Sequence, residues 1–202
     1  MRQGTARHAI ADRRDDLYET PQPAIRTFLR VVDLPPVVWE PCAGRGAISR
    51  EIEATGRTVI KHDLVAYPGA DAGIIPRRDF LMEREAPCRT IVTNPPYKNA
   101  DACIRHGLAL GCEFYALLRL AALEGAARSD LIDGHLSHVW VGIERLPFMH
   151  REGWAGPKHS NSGAPFAWFR FQPEPHRGPA LMTRISWRSP PASAGALQES
   201  AA

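Results

Sequence analysis

Pro35-Pro36-Val37-Val38-Trp39-Glu40-Pro41-Cys42-Ala43-Gly44-Arg45-Gly46 joins a short apolar strand to a glycine-rich turn. Ala47 to Ala54 then reads as a helix with Ile48 and Ile52 turned inward. Strand, glycine turn and helix make the first half of a βαβ unit, the building block of a parallel α/β sheet. Gly44 and Gly46 let the backbone approach a ligand closely. The turn delivers it to a helix N-terminus, whose free N–H groups favour a negative group. Gly56 ends the helix, and Thr58 to Lys61 reads as a second strand running into His62-Asp63-Leu64. Asp63 lies about 20 residues beyond the turn, where a carboxylate can accept both hydroxyls of a ribose. A plain surface aspartate after a strand is the other reading.

A second stretch, Thr93-Asn94-Pro95-Pro96-Tyr97, follows the apolar run Cys88 to Val92. Two consecutive prolines cannot donate to a strand ladder, and each fixes φ near −65°. The strand therefore stops at Asn94, and the chain turns outward at a strand's carboxyl end. In an open parallel sheet, ligands sit there. Asn94 offers an acceptor, Tyr97 a flat π face, and the prolines offer backbone carbonyls without hydrogen-bond partners in a helix or sheet. Together they form a receptacle for a planar molecule that carries an amino group.

The remaining elements can be placed around these two. Leu17 to Pro23 leads into an amphipathic helix, Ala24 to Val32, for which Thr20 is a candidate cap. Tyr67 to Arg78 is loop-like, with Ile74-Ile75 as a short pairing segment. Asp79-Phe80 suits an adenine, the carboxylate taking the amino hydrogens and the ring packing on the base, although Asp79 alone is a good helix cap. Asn99 to Leu110 reads as a helix with Ala102, Cys103, Ile104 and Leu108 inward, and Cys103 as a core filler. Glu113 to Leu120 is a strongly apolar strand, and Leu136 to Leu146 alternates in part. His135 and His138 have no further ligands nearby, so no metal is expected. Pro147 to Pro165 is a long irregular stretch in which Arg151, Lys158 and Trp154 combine cations with an aromatic. A hairpin tip is the plainer reading of it. Phe166 to Phe171 reads as a strand pairing back on Val139 to Leu146, and Ala180 to Trp187 as a further strand.

Composition bounds the class. The chain has 202 residues, 44% hydrophobic and 23% charged, with a net charge of +3. One α/β domain with a sizeable core is expected. The expected division is a flexible segment over 1–16, a domain over 17–188 and a disordered Pro-, Ser- and Ala-rich tail over 189–202. A mildly basic chain permits a polyanionic partner without requiring one. The four cysteines form no CxxC pair, and neither a signal peptide nor a membrane span is read. Reduced thiols in a cytoplasm are therefore expected.

Taken together, these motifs resemble the S-adenosylmethionine-dependent amino-methyltransferases, especially the phage-type and bacterial DNA adenine-N6 methyltransferases, over roughly Tyr18 to Phe171. The resemblance implies a Rossmann-like class I fold, with a seven-stranded, mostly parallel sheet, an antiparallel last strand and helices on both faces. It implies that Tyr18, Thr20 and Pro21 close over the methionine part of the cofactor. Glu40, Cys42, Ala43, Gly44 and Gly46 would form the glycine-rich cofactor motif, Asp63 the ribose acid, and Asp79 and Phe80 the adenine contact. Asn94, Pro95, Pro96 and Tyr97 would be catalytic, with Asn94 also touching the cofactor. The late aromatic motif, Phe166 to Phe169, would help Tyr97 hold an extruded base, with Phe166, Phe169 or Trp154 as the ring; Arg151, Trp154 and Lys158 of the long loop suit phosphates and bases. No separate target-recognition region of the kind many relatives carry is read in these residues, so a restriction-type recognition sequence is not expected. The same motif occurs in RNA base methyltransferases and in enzymes that methylate a glutamine amide. The short run before Glu40 argues against the glutamine enzymes. A non-catalytic cofactor-binding partner subunit is a further alternative, against which the intact Asn-Pro-Pro-Tyr motif stands.

Overall fold

A computed structural model of the chain describes residues 17–146 and 163–188. Within them seven strands form one sheet: β1 (Val37–Glu40), β2 (Thr58–Lys61), β3 (Thr90–Thr93), β4 (Glu113–Arg119), β5 (Leu136–Gly142), β6 (Phe166–Phe171) and β7 (Leu181–Ile185). Their order across the sheet is β2-β1-β3-β4-β6-β5-β7. β1 runs parallel to β2 and β3, β3 to β4, and β5 to β7. β6 lies antiparallel between β4 and β5. The fold is Rossmann-like, as expected, with one correction: the opposed strand is β6, and β7, the last strand among the described residues, runs parallel to β5 at the edge.

Helices α1 (Gln22–Val31), α2 (Ala47–Glu53), α3 (Ala100–Ala109) and α4 (Ser129–His135) cover the two faces. Strand alternation sorts the side chains between them. Tyr115 and Leu117 of β4 and Phe166 and Trp168 of β6 pack with Ile25 and Phe28 of α1 and Ile48 and Ile52 of α2. Phe114, Ala116 and Leu118 of β4 and Ala167, Phe169 and Phe171 of β6 pack with Cys103, Ile104 and Leu108 of α3 and Leu131 of α4.

Three local expectations change. Thr20 does not cap α1: Pro21 is the N-cap, in extended conformation with no side-chain cap bond. The Thr20 hydroxyl is engaged elsewhere, as described below. Ala102 is exposed, and Gly107 is buried instead. The inward stripe of α3 runs through 103, 104, 107 and 108, and 102 falls on the opposite side of the helix. A Cβ on Gly107 would come within 2.5 Å of the Phe114 ring, so the missing side chain lets α3 lie close on β4. The imperfect alternation of β5 has its cause in a register shift between Leu136 and His138. That bulge places Leu136 and Val139, three residues apart, in the same core.

Trp168 ties the first core together. It is fully buried, its ring stacks on Phe28 at 4.3 Å, and its Nε1 donates to the Ala24 carbonyl at 3.0 Å. Trp168→Ala is expected to lower the free energy of unfolding by about 3–5 kcal/mol, read as a shifted midpoint in urea. A loss below about 1 kcal/mol would mean that α1 does not depend on this contact.

Candidate active site

The carboxyl ends of β1, β2 and β3 open into a cavity of about 360 Å³. Glu40, Cys42, Ala43 and Gly44 line it from the turn after β1, and Asp63 from the end of β2. Asp79 and Phe80 line it from a single helical turn, and Asn94 to Tyr97 from the end of β3. Tyr18 and Thr20 close it from the segment ahead of α1.

Backbone bonds hold the strand ends in place. His62 N–H donates to the Glu40 carbonyl at 3.2 Å, and Ala43 N–H to the His62 carbonyl at 3.1 Å. Thr93 Oγ1 donates to the Cys42 carbonyl at 3.4 Å, linking β3 to the turn. Gly44 has φ of 56°, and a Cβ there would stand 2.8 Å from Leu17 Cδ1. Its N–H donates to Asp63 Oδ2 at 2.7 Å, while Val65 N–H donates to Asp63 Oδ1 at 2.9 Å. Asp63 is thus fixed by one backbone bond to each oxygen, with lone pairs left to accept from a ligand.

The cavity is acidic in balance: Glu19, Asp63 and Asp79 line it against Arg45 and Lys98, with the buried Glu40 as a further carboxyl group. Arg45 lies 3.9 Å from Glu19, joining the glycine turn to the N-terminal segment. Glu40 is buried and accepts from Ser49 Oγ. Burial pushes its carboxyl up to about 8, with the Ser49 bond opposing and the nearby Asp63 charge adding to the rise. Burial also raises Asp63, opposed by the Val65 and Gly44 N–H groups.

Asn94 is the most constrained side chain of the site. Its Nδ2 donates to the Tyr18 carbonyl at 3.2 Å and to Thr20 Oγ1 at 3.1 Å. Both amide protons are thereby spent on the N-terminal segment. Its Oδ1 is buried and has no hydrogen-bond partner. Pro95 is buried behind it. Tyr97 is half-buried, with the Tyr18 ring 5.1 Å away and the Phe166 ring 6.2 Å away.

Most of the residues picked out by the sequence motifs meet in this cavity, and the exceptions have physical reasons. Gly46 stands behind the wall: it starts α2 with φ of 90°, and a Cβ there would strike the Asp71 carboxylate, which holds Arg50 at 2.6 Å. Pro21 caps α1 and does not line the cavity. Phe169 is fully buried on the α3 face of the sheet, stacked with Phe171 at 6.3 Å, so it is turned away from Tyr97 and is not placed to hold a base. Phe166, on the Tyr97 side, is buried beside the cavity. Asp79 accepts from Leu81 N–H as a cap and also lines the cavity, so both readings of it apply. Arg151, Trp154 and Lys158 lie outside the described residues. Glu19 and Arg45, which lie inside the two cofactor motifs, line the cavity as well, and the sequence reading missed Val65, Tyr67 and Cys103 as lining residues. Val65 and Tyr67 had an available signal, since they directly follow the acidic strand end at Asp63. Cys103, one helical turn inside α3, had none. His135 binds the Gln172 carbonyl, and His138 stacks on Trp140 at 3.9 Å. Among the described residues no group of three or more His, Cys, Asp or Glu could hold a metal. No helix among them is long and apolar enough to cross a membrane.

The fold and site are those of a Rossmann-like α/β domain with its cavity at the strand carboxyl ends. No family model matches the chain, and no curated protein does. Solved structures do. A modification subunit assigned to a type I restriction enzyme from Vibrio vulnificus matches with a TM-score of 0.53 at 14% identity over 86% of this chain. The chain spans 48% of that subunit's length. A protein described as an O-methyltransferase from Agrobacterium tumefaciens matches with a TM-score of 0.49 at 14% identity, over 83% of this chain and 86% of that one. The likeness to the modification subunit establishes a shared fold.

A carboxyl held at about 8 favours the folded chain while it is protonated. That stabilisation is fully present below about pH 4.5 and is lost as pH rises through about 8. The ligand-free melting temperature is therefore expected to carry a downward slope in this window that Glu40→Gln removes. Thermal melts of both proteins from about pH 5 to 9 read it, and identical slopes would contradict the assignment.

Proposed function

We propose that this protein transfers a methyl group from S-adenosylmethionine to an exocyclic amine, adenine N6 in DNA. The observation that carries the reading is the buried, unpartnered Oδ1 of Asn94, a residue that lines the cavity, with its own amide protons held by Tyr18 and Thr20. A buried acceptor without a donor is costly, and an incoming N–H satisfies it. The next residues supply a rigid proline carbonyl and an aromatic ring. Methylation is supported further by the fold shared with the restriction modification subunit.

The cofactor carries a sulfonium, an ammonium and a carboxylate, a net positive charge that suits a cavity whose carboxylates outnumber its cations. Asp63 accepts from the ribose hydroxyls, and Asp79 with Phe80 receives the adenine. Glu40 faces the ammonium end, and Tyr18 and Thr20 cover the methionine part. When bound, the cofactor supplies an already activated methyl group, so the protein's task lies with the nucleophile. An amine on a heteroaromatic ring has its lone pair delocalised. Asn94 Oδ1 and the Pro95 carbonyl accept its two N–H groups and draw the nitrogen toward a pyramidal shape. Tyr97 stacks on the base and sets its direction. Catalysis is then orientation and charge stabilisation, with no dedicated base. A base within a duplex must be flipped out at a cost of a few kcal/mol, which stacking at about 1–3 kcal/mol per contact offsets.

The test is transfer from labelled S-adenosylmethionine to duplex DNA, single-stranded DNA, RNA and protein, with mass spectrometry of the digested product. N6-methyladenine in DNA is expected; label in RNA or protein instead would move the substrate, and no label would reject the reading. Asn94→Ala is expected to cut transfer by about 10²-fold or more while cofactor affinity changes little. Asp63→Ala is expected to weaken cofactor binding about tenfold or more in calorimetry, and unchanged affinity would remove Asp63 from the ribose role.

A further inference from the structure

Tyr97 already carries a planar group on its ring. The Arg119 guanidinium carbon stands 4.7 Å from the ring centroid. Arg119 is the last residue of β4, whose parallel register pairs Thr93 with Ala116. β4 therefore continues three residues, roughly 10 Å, beyond the end of β3 and reaches the level of the Asn94 to Tyr97 turn. On its other side Arg119 pairs with Phe166 at the start of β6. Backbone pairing thus fixes the point from which the side chain reaches Tyr97.

Arg119 is exposed, and among the described residues no carboxylate pairs with it. Other arginines around this half of the sheet are used differently. Arg105 holds Asp130, Arg128 holds Asp101 and Arg170 holds Glu113. Lys98, also exposed, follows Tyr97 directly and lines the cavity. A guanidinium on a tyrosine face is held weakly when exposed to water, whereas base–aromatic stacking is stronger. An arriving base therefore displaces it. The released planar cation is suited to a bidentate bond with a phosphodiester.

We propose that Arg119 is a positioning residue for the nucleic-acid substrate: its guanidinium covers the Tyr97 face on which the target base stacks, and moves to the phosphate flanking that base when the base enters. This rests on the base-methylation reading above. It makes the occupancy of Tyr97 and the capture of the backbone one exchange, so a base without its flanking charge gains less from entering.

The test uses the full-length wild type, Arg119→Ala and Arg119→Lys with an oligonucleotide that the wild type methylates. A second oligonucleotide carries a neutral methylphosphonate at the linkages flanking the target. Arg119→Ala is expected to raise KM for the normal oligonucleotide about tenfold with kcat within about threefold, and to reduce the slope of log affinity against log salt by about one. Arg119→Lys restores the salt slope. The wild type loses a similar factor on the methylphosphonate, and Arg119→Ala loses nothing more on it, because the two changes remove one interaction. Losses that multiply, or an unchanged KM and salt slope in Arg119→Ala, would overturn the proposal while leaving wild-type methylation intact. A wild type that methylates no nucleic acid would instead overturn the functional reading, and this inference with it.

Discussion

The site depends on how one amide is held. Asn94 donates to Tyr18 and Thr20, residues more than seventy positions earlier in the chain. These two bonds do three things at once. They spend the amide protons, they leave Oδ1 buried without a partner, and they tie the N-terminal segment to the turn after β3. An amide that rotated freely would offer donors and acceptor equally to an incoming group. Held in this way, it offers only an acceptor. The Arg45–Glu19 pair secures the same segment to the glycine turn from the opposite side.

The sheet makes that arrangement possible. Six strands point the same way, so their carboxyl ends gather the turns after β1, β2 and β3 at one edge. The fully buried β3, flanked by β1 and β4, carries the Asn-Pro-Pro-Tyr turn to the centre of that edge. The two cores on either side leave the strands little freedom to shift, because each is filled by aromatic rings such as Trp168 and Phe28 on one face and Phe114 and Phe169 on the other. The carboxylates at neighbouring strand ends then share one small volume. Burial raises both Glu40 and Asp63 from their ordinary values. A positive charge brought close to them would relieve that cost.

Much of this was legible in the residues alone, where chemistry is local. Two prolines stop a strand wherever they fall, and glycines permit a left-handed turn wherever one is required. A strand followed by Gly44, a helix and a second strand ending in Asp63 therefore announces a parallel sheet with a ligand at its carboxyl ends. A continuous apolar run identified β4, and an aromatic-rich one β6, in the same local way. Side-chain type marked Asn94 as an acceptor and Tyr97 as a platform.

Tertiary structure decided what depends on distant partners. Thr20 reads as a helix cap beside Pro21, yet its hydroxyl serves Asn94 because the fold brings the two together. Phe166 and Phe169 are three residues apart in one aromatic strand, and the sequence does not say which faces Tyr97. Strand alternation combined with β6's antiparallel register sends Phe169 to the α3 face and keeps Phe166 beside the cavity. Arg119 reads only as the end of an apolar run, and its place over Tyr97 follows from β4 outrunning β3. The residues by themselves determined the kind of chemistry at the strand ends, since that follows from backbone permissions and functional groups. Only the register between strands decided which of those groups face one another, since a side chain's direction is set by the pairing of its neighbours.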